Sequence, residues 1–137
     1  MSVCNIPTPR TGLETKFSLR HTAALAACGE DTAAIQTYSD ENAADSVLTA
    51  VRDRVTVHGD RPPGHDARVV IRTHAGQAAE TQLDVGIPDR DLDRQGERLA
   101  SKFRSLTVPV VGIERAEKLQ RNIASLDTLQ NIDALMV

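Results

Sequence analysis

The sequence predicts an α+β domain: a small antiparallel sheet with helices packed on one face. Three observations carry this. The stretch from Thr11 to Gly29 has the start, apolar spacing and stop of a helix. Two alternating runs, Ala67 to Thr73 and Ala78 to Val85, flank a turn at Gly76. Helical patterns then resume from Asp93 to the end of the chain. Separate helical and hairpin segments of this kind give an α+β architecture.

In order, residues 1–10 carry Pro7 and Pro9 and form an extended lead-in. Residues 12–28 make the first helix. Thr11 is its N-cap, and Glu14 stands at the capping-box position. Leu13, Phe17, Ala24 and Leu25 lie along one side, and Gly29 supplies the left-handed stop. Between Asp31 and Asn42, Thr32 to Ile35 admits a helical turn and Tyr38 to Asn42 is turn-like. Ala43 to Arg52 is a second helix, with Val47, Leu48 and Val51 on one side, and Val55 to His58 is a strand. The run His58 to His65 is a loop, because Pro62, Pro63 and two glycines break regular structure. The hairpin follows, then a loop over 86–92. Asp93 caps a helix to about Leu106. Pro109 and Gly112 punctuate, Glu114 to Ser125 is a long helix, and Asp127 to Met136 is a short helical tail. These boundaries divide the chain into a domain over 1–106 and a helical segment over 107–137.

At 137 residues the chain suits one domain whose tail needs a partner. The only aromatics are Phe17, Tyr38 and Phe103, so the core must come from Ala, Leu, Val and Ile and will be modest. Net charge is −3 with the two signs interspersed, which excludes a nucleic-acid surface. No apolar run is long enough to span a membrane. The start, Met1 to Pro7, lacks the pattern of a signal peptide, which points to the cytoplasm. Cys4 and Cys28 are sparse and are expected to be reduced, with Cys28 packed at the apolar end of the first helix.

Few chemical constellations stand out. His21, His58, His65 and His74 lack the close pairing that zinc sites use, so no metal is expected. The run Asp89-Arg90-Asp91-Leu92-Asp93-Arg94 alternates its charges and fits a solvated, mutually neutralised loop better than an acid/base pair. Phosphate-loop, dinucleotide and nucleophile-elbow motifs are absent.

A generic helix does not require the particular letters Pro9-Arg10-Thr11-Gly12-Leu13-Glu14-Thr15-Lys16-Phe17-Ser18. They resemble the P-x-T-G-L-E/Q-x-K-F-S segment that opens a lid-domain helix in the MmgE/PrpD family. That family includes 2-methylcitrate dehydratases, cis-aconitate decarboxylases and iminodisuccinate epimerases. Asp53 to Val57, Arg68 to Arg72, His74 to Gln77, Gly86 to Asp89, Lys102-Phe103 and Ile113 to Leu135 are similar to later family segments, in order. Arg90-Asp91-Leu92-Asp93 stands where the family has N-P-L-S.

The resemblance implies lyase or isomerase chemistry on small di- or tricarboxylates, without metal or organic cofactor. It also implies a substrate-binding surface from Lys16, Ser18, Arg20 and His21. A lysine and a helix start both suit carboxylates. The sequence begins just before the lid segment, so the helical domain that carries most acid/base groups in the family is expected to be missing. No catalytic residue is assigned in this chain. Three functions follow: a lid fragment that is not catalytic alone, an active lyase completed by oligomerisation or by a separate helical half, and a carboxylate-binding module without turnover. The apolar side formed by Leu119, Ile123, Leu126, Leu129, Ile132 and Leu135 needs cover, since each exposed side chain forgoes about 1.5–3 kcal/mol. Self-association or an all-helical partner chain is expected there.

Overall fold

The structure, a computed structural model, describes residues 5–59, 64 and 66–135. Cys4, Pro62, Pro63, His65 and Met136, on which some expectations fall, lie outside the described residues. The fold is α+β: a two-stranded antiparallel sheet accompanies helices. The chain divides into two compact units, Met1–Val57 with Gly96–Val137, and His58–Gln95.

In the larger unit, the expected single helix over 12–28 is two helices. α1 (Gly12–Thr15) opens on Thr11, whose hydroxyl accepts from the Glu14 N–H. The reciprocal capping bond is shifted by one residue, because the Glu14 carboxylate accepts from the Arg10 N–H at 2.7 Å. The Lys16, Phe17 and Ser18 amides then bond three residues back, which tightens and ends the turn. The Phe17 carbonyl accepts from the Ile6 N–H, and Asn5 bridges Ser18. The lead-in therefore takes up backbone groups that a continuous helix would have used. Ser18 turns extended and caps α2 (Leu19–Ala27) by accepting from the His21 N–H at 3.2 Å. The break resets the helical phase: Ala24 and Leu25 are buried, whereas Leu13 and Phe17 are 67% and 38% exposed. Gly29 ends α2 at φ 82, the left-handed stop.

A similar break divides the second expected helix. α3 (Asp40–Ala44) is capped by Ser39 and α4 (Ser46–Arg52) by Asp45, which accepts from both Val47 and Leu48 N–H groups. A 3-10 turn, Ile35–Thr37, precedes them. α2 packs on α4 and α1 on α3. Buried apolar residues among those described include Ala24, Leu25, Ala43, Leu48 and Ala116, all small or aliphatic. Val55 to His58 does not form a strand; the segment is irregular and has no ladder partner among the described residues.

α5 (Leu92–Val111) starts and ends beyond its expected limits. Its cap is Asp91, whose carboxylate accepts from the Arg94 N–H at 3.0 Å, not Asp93. It also runs through Pro109, at the cost of one backbone bond. Gly112, at φ 80, separates it from α6 (Ile113–Ala124). The tail forms two 3-10 turns, Leu126–Thr128 and Ile132–Leu135, instead of one helix, and the second packs on α6. No helix among the described residues is long and apolar enough to cross a membrane.

In the smaller unit, β1 (Asp66–Arg72) pairs with β2 (Ala78–Asp84), with Val69 opposite Thr81. Gly76 at φ 79 closes a three-residue turn. Opposite residues share a face, so Ala67, Val69 and Ile71 lie with Leu83, Thr81 and Ala79. The other face is mostly polar, with Val70 and Ala78 among its residues. There Arg68 grips Glu80 with two hydrogen bonds of 2.6 and 2.7 Å, and Gln82 donates to Asp66. The hydrogen bond from Arg68 is the main reason the Glu80 carboxyl titrates below its ordinary range.

Candidate functional site

The four residues singled out in the sequence span the join between α1 and α2, and the join treats them differently. Lys16, in the turn, is exposed, and its Nζ lies 5.9 Å from the centre of the Tyr38 ring. A cation over an aromatic face is held there by the ring quadrupole. Tyr38 is fixed in turn by donating its hydroxyl to the Thr32 carbonyl. Burial, and then the Asp31 charge, raise the phenol's pKa, so it stays a neutral donor at neutral pH.

Ser18 and His21 are brought together and sealed. Ser18 is 1% exposed and His21 0%. The Ser18 hydroxyl is engaged by the His21 backbone, so its visible work is to cap α2 and fix where the imidazole starts. Neither ring nitrogen of His21 has a hydrogen-bond partner among the described residues. Leaving a buried polar group unpaired costs about 1–3 kcal/mol. Burial, and then the positive charge of Arg52, hold the imidazole's pKa below its ordinary value of 6.5. His21 is therefore neutral at neutral pH. Arg20 is half-buried, and its buried Nε is also without a partner among the described residues.

Arg52, at the end of α4, escaped the sequence reading. It is 6% exposed and its guanidinium pairs with Asp53 at 2.8 Å, a carboxylate that itself faces solvent. An arginine in the last turn of a helix looks like an ordinary dipole partner, so nothing in the sequence marked it as buried beside His21. The segment thus joins one accessible ammonium to a buried neutral imidazole and a half-buried guanidinium, the last two with nitrogens that have no partner among the described residues.

Other expectations resolve differently. Cys28 is exposed, not packed, because it is the C-cap at which α2 ends. The 89–94 run is a capped, internally paired entry into α5: Arg94 spans both Asp89 oxygens at 2.9 and 3.0 Å. Among the described residues no three His, Cys, Asp or Glu side chains gather as metal ligands. The apolar side at the C-terminus is partly open, with Ile123, Leu126 and Ile132 at 50%, 53% and 68% exposure. One open depression is lined by Ile71, Thr73 and Gln77, another by Arg104, Gln120 and Arg121, and no residue of 16–21 lines either.

The family model described as the MmgE/PrpD C-terminal domain matches residues 1–128. No curated protein matches the chain.

Proposed function

This chain belongs to the MmgE/PrpD family through its C-terminal domain, and from that membership we propose that it serves as the lid part of a lyase or isomerase for small di- or tricarboxylates. Lys16 supplies the cation that meets a carboxylate, with Arg20 beside it. Ser18 fixes the start of α2 and so the place of His21, whose neutral imidazole is buried. The single observation that carries this is the buried His21 ring, without a hydrogen-bond partner among the described residues, five positions along the chain from an exposed lysine. Buried polar groups are nearly always satisfied, and each exception calls for an explanation.

The chain alone binds and does not turn over. Proton abstraction next to a carboxylate needs an acceptor within hydrogen-bond reach of the substrate. The imidazole here is sealed from solvent, and Arg52 opposes its protonation. The acid/base groups come from an all-helical region, covalently attached or separate, that the C-terminal apolar side would receive. Calorimetry with citrate, 2-methylcitrate and cis-aconitate, paired with product analysis, tests this. Heat without product, abolished in Lys16→Ala, is the expected result. Product from the isolated chain would overturn the division of labour. No heat with any of the three acids would remove the carboxylate-binding role.

A further inference from the structure

We infer that the outer edge of β1 pairs with the same edge of a second copy of this chain, joining two hairpins into a four-stranded antiparallel sheet. A two-stranded ribbon is marginal in water, and gains stability from further strands with an apolar face or from packing against a helix. This hairpin has that face, and it is open: Val69, Ile71 and Leu83 are 48%, 58% and 58% exposed. Neither outer edge has a strand partner among the described residues.

The occupant follows from the order of residues along β1. The Thr73 N–H donates to the Gln77 carbonyl at 2.9 Å. Alternation along an antiparallel ladder then turns the backbone groups of Ala67, Val69 and Ile71 toward β2, and those of Asp66, Arg68, Val70 and Arg72 outward. A two-fold axis through Val69 sets Asp66 opposite Arg72 of the second copy, and Arg68 opposite its Val70. Every outward amide and carbonyl finds a complement, and the two ends carry opposite charges twice over. Val69 meets its own copy, so the two apolar strips become continuous. The same operation on β2, centred on Thr81, sets Asp84 opposite Ala78 and pairs no charges. An isologous contact needs a self-complementary patch, and β1 is one while β2 is not.

Disulfide trapping tests the register. In a Cys4→Ser/Cys28→Ser background, Val69→Cys places two thiols at a directly opposed pair whose Cα atoms are about 4.5 Å apart, within reach of a disulfide. Thr81→Cys, on the same face of the outer strand, puts them about three strand spacings, or roughly 14 Å, apart. Val69→Cys is expected to cross-link under mild oxidation and Thr81→Cys is not. Arg72→Asp should raise the dimer dissociation constant about tenfold or more, and Asp66→Arg/Arg72→Asp should restore it. Equal cross-linking of the two cysteines, a dimer indifferent to Arg72→Asp, or a monomer by light scattering would each overturn the pairing. A dimer that persists without the Val69→Cys cross-link would instead lie on another surface, such as the C-terminal helices.

Discussion

The backbone N–H of Gly12 donates to Oδ1 of Asp40 at 2.6 Å. This one bond ties the opening of α1 to the opening of α3, across 28 residues of chain. It is available because Gly12 has no side chain. A Cβ at that position would press into the Tyr38 carbonyl oxygen and come within 2.9 Å of the Ser39 Cα. Both obstacles are backbone, which cannot turn aside.

Gly12→Ala is therefore expected to destabilise the chain by about 1–3 kcal/mol, the usual range for overpacking a tight contact. Asp40→Ala, which leaves the amide without its acceptor, should cost about 1–2 kcal/mol. Urea unfolding gives both values. A neutral Gly12→Ala would mean that α1 and α3 do not approach this closely.

Ser18→Ala discriminates between one helix and two. In the interior of a continuous helix the change would be slightly favourable, because alanine is the better helix former. As the N-cap of α2, Ser18 should instead be worth about 1–2 kcal/mol. The sign of the shift in unfolding midpoint decides.

Asp45→Ala asks the same of the second break. Its carboxylate takes two amides at 2.9 and 2.8 Å, so its loss should cost about 1 kcal/mol and loosen α4, which packs on α2. Asp45→Ser should recover most of the loss, since serine caps nearly as well.

The helix ends at Thr11 and Gly29 were legible because each is marked by a residue type with one dominant local use. The hairpin was legible because period-two alternation and Gly76 agree. The breaks at Ser18 and Asp45 were written too, in residues that cap helices, but each interrupts an apolar pattern that continues on both sides. Only the tertiary contacts choose: Ile6 takes the Phe17 carbonyl, and Asp40 takes the Gly12 amide. Val55 to His58 alternates locally like a strand, yet a strand exists only where a ladder partner is supplied. For the site, an accessible Lys16 could be expected from sequence, though within a continuous helix and not on the turn that holds it. The sealing of His21 beside Arg52 could not, because it depends on α2 meeting α4.

Acid should act first through His21. Its folded pKa lies below the ordinary 6.5, so the unfolded chain takes up the proton earlier as pH falls. Stability is intact above about 6.5 and declines as pH drops below it. Asp31, Glu41 and Glu80 have folded pKa values depressed below 3.8, 4.5 and 4.5, so their contributions fail only at lower pH. His21→Leu should flatten the upper part of the profile and leave the lower part in place. Unfolding midpoints measured from pH 8 downward, on the order of half a unit apart, resolve the two regions.

Citrate titration followed by backbone and imidazole NMR tests the carboxylate-holding role most directly. Saturable shifts concentrated on residues 16–21, with the His21 ring among them and all of them lost in Lys16→Ala, are the predicted result. A spectrum of residues 16–21 that stays unmoved by citrate, or shifts confined to other parts of the chain, would contradict it.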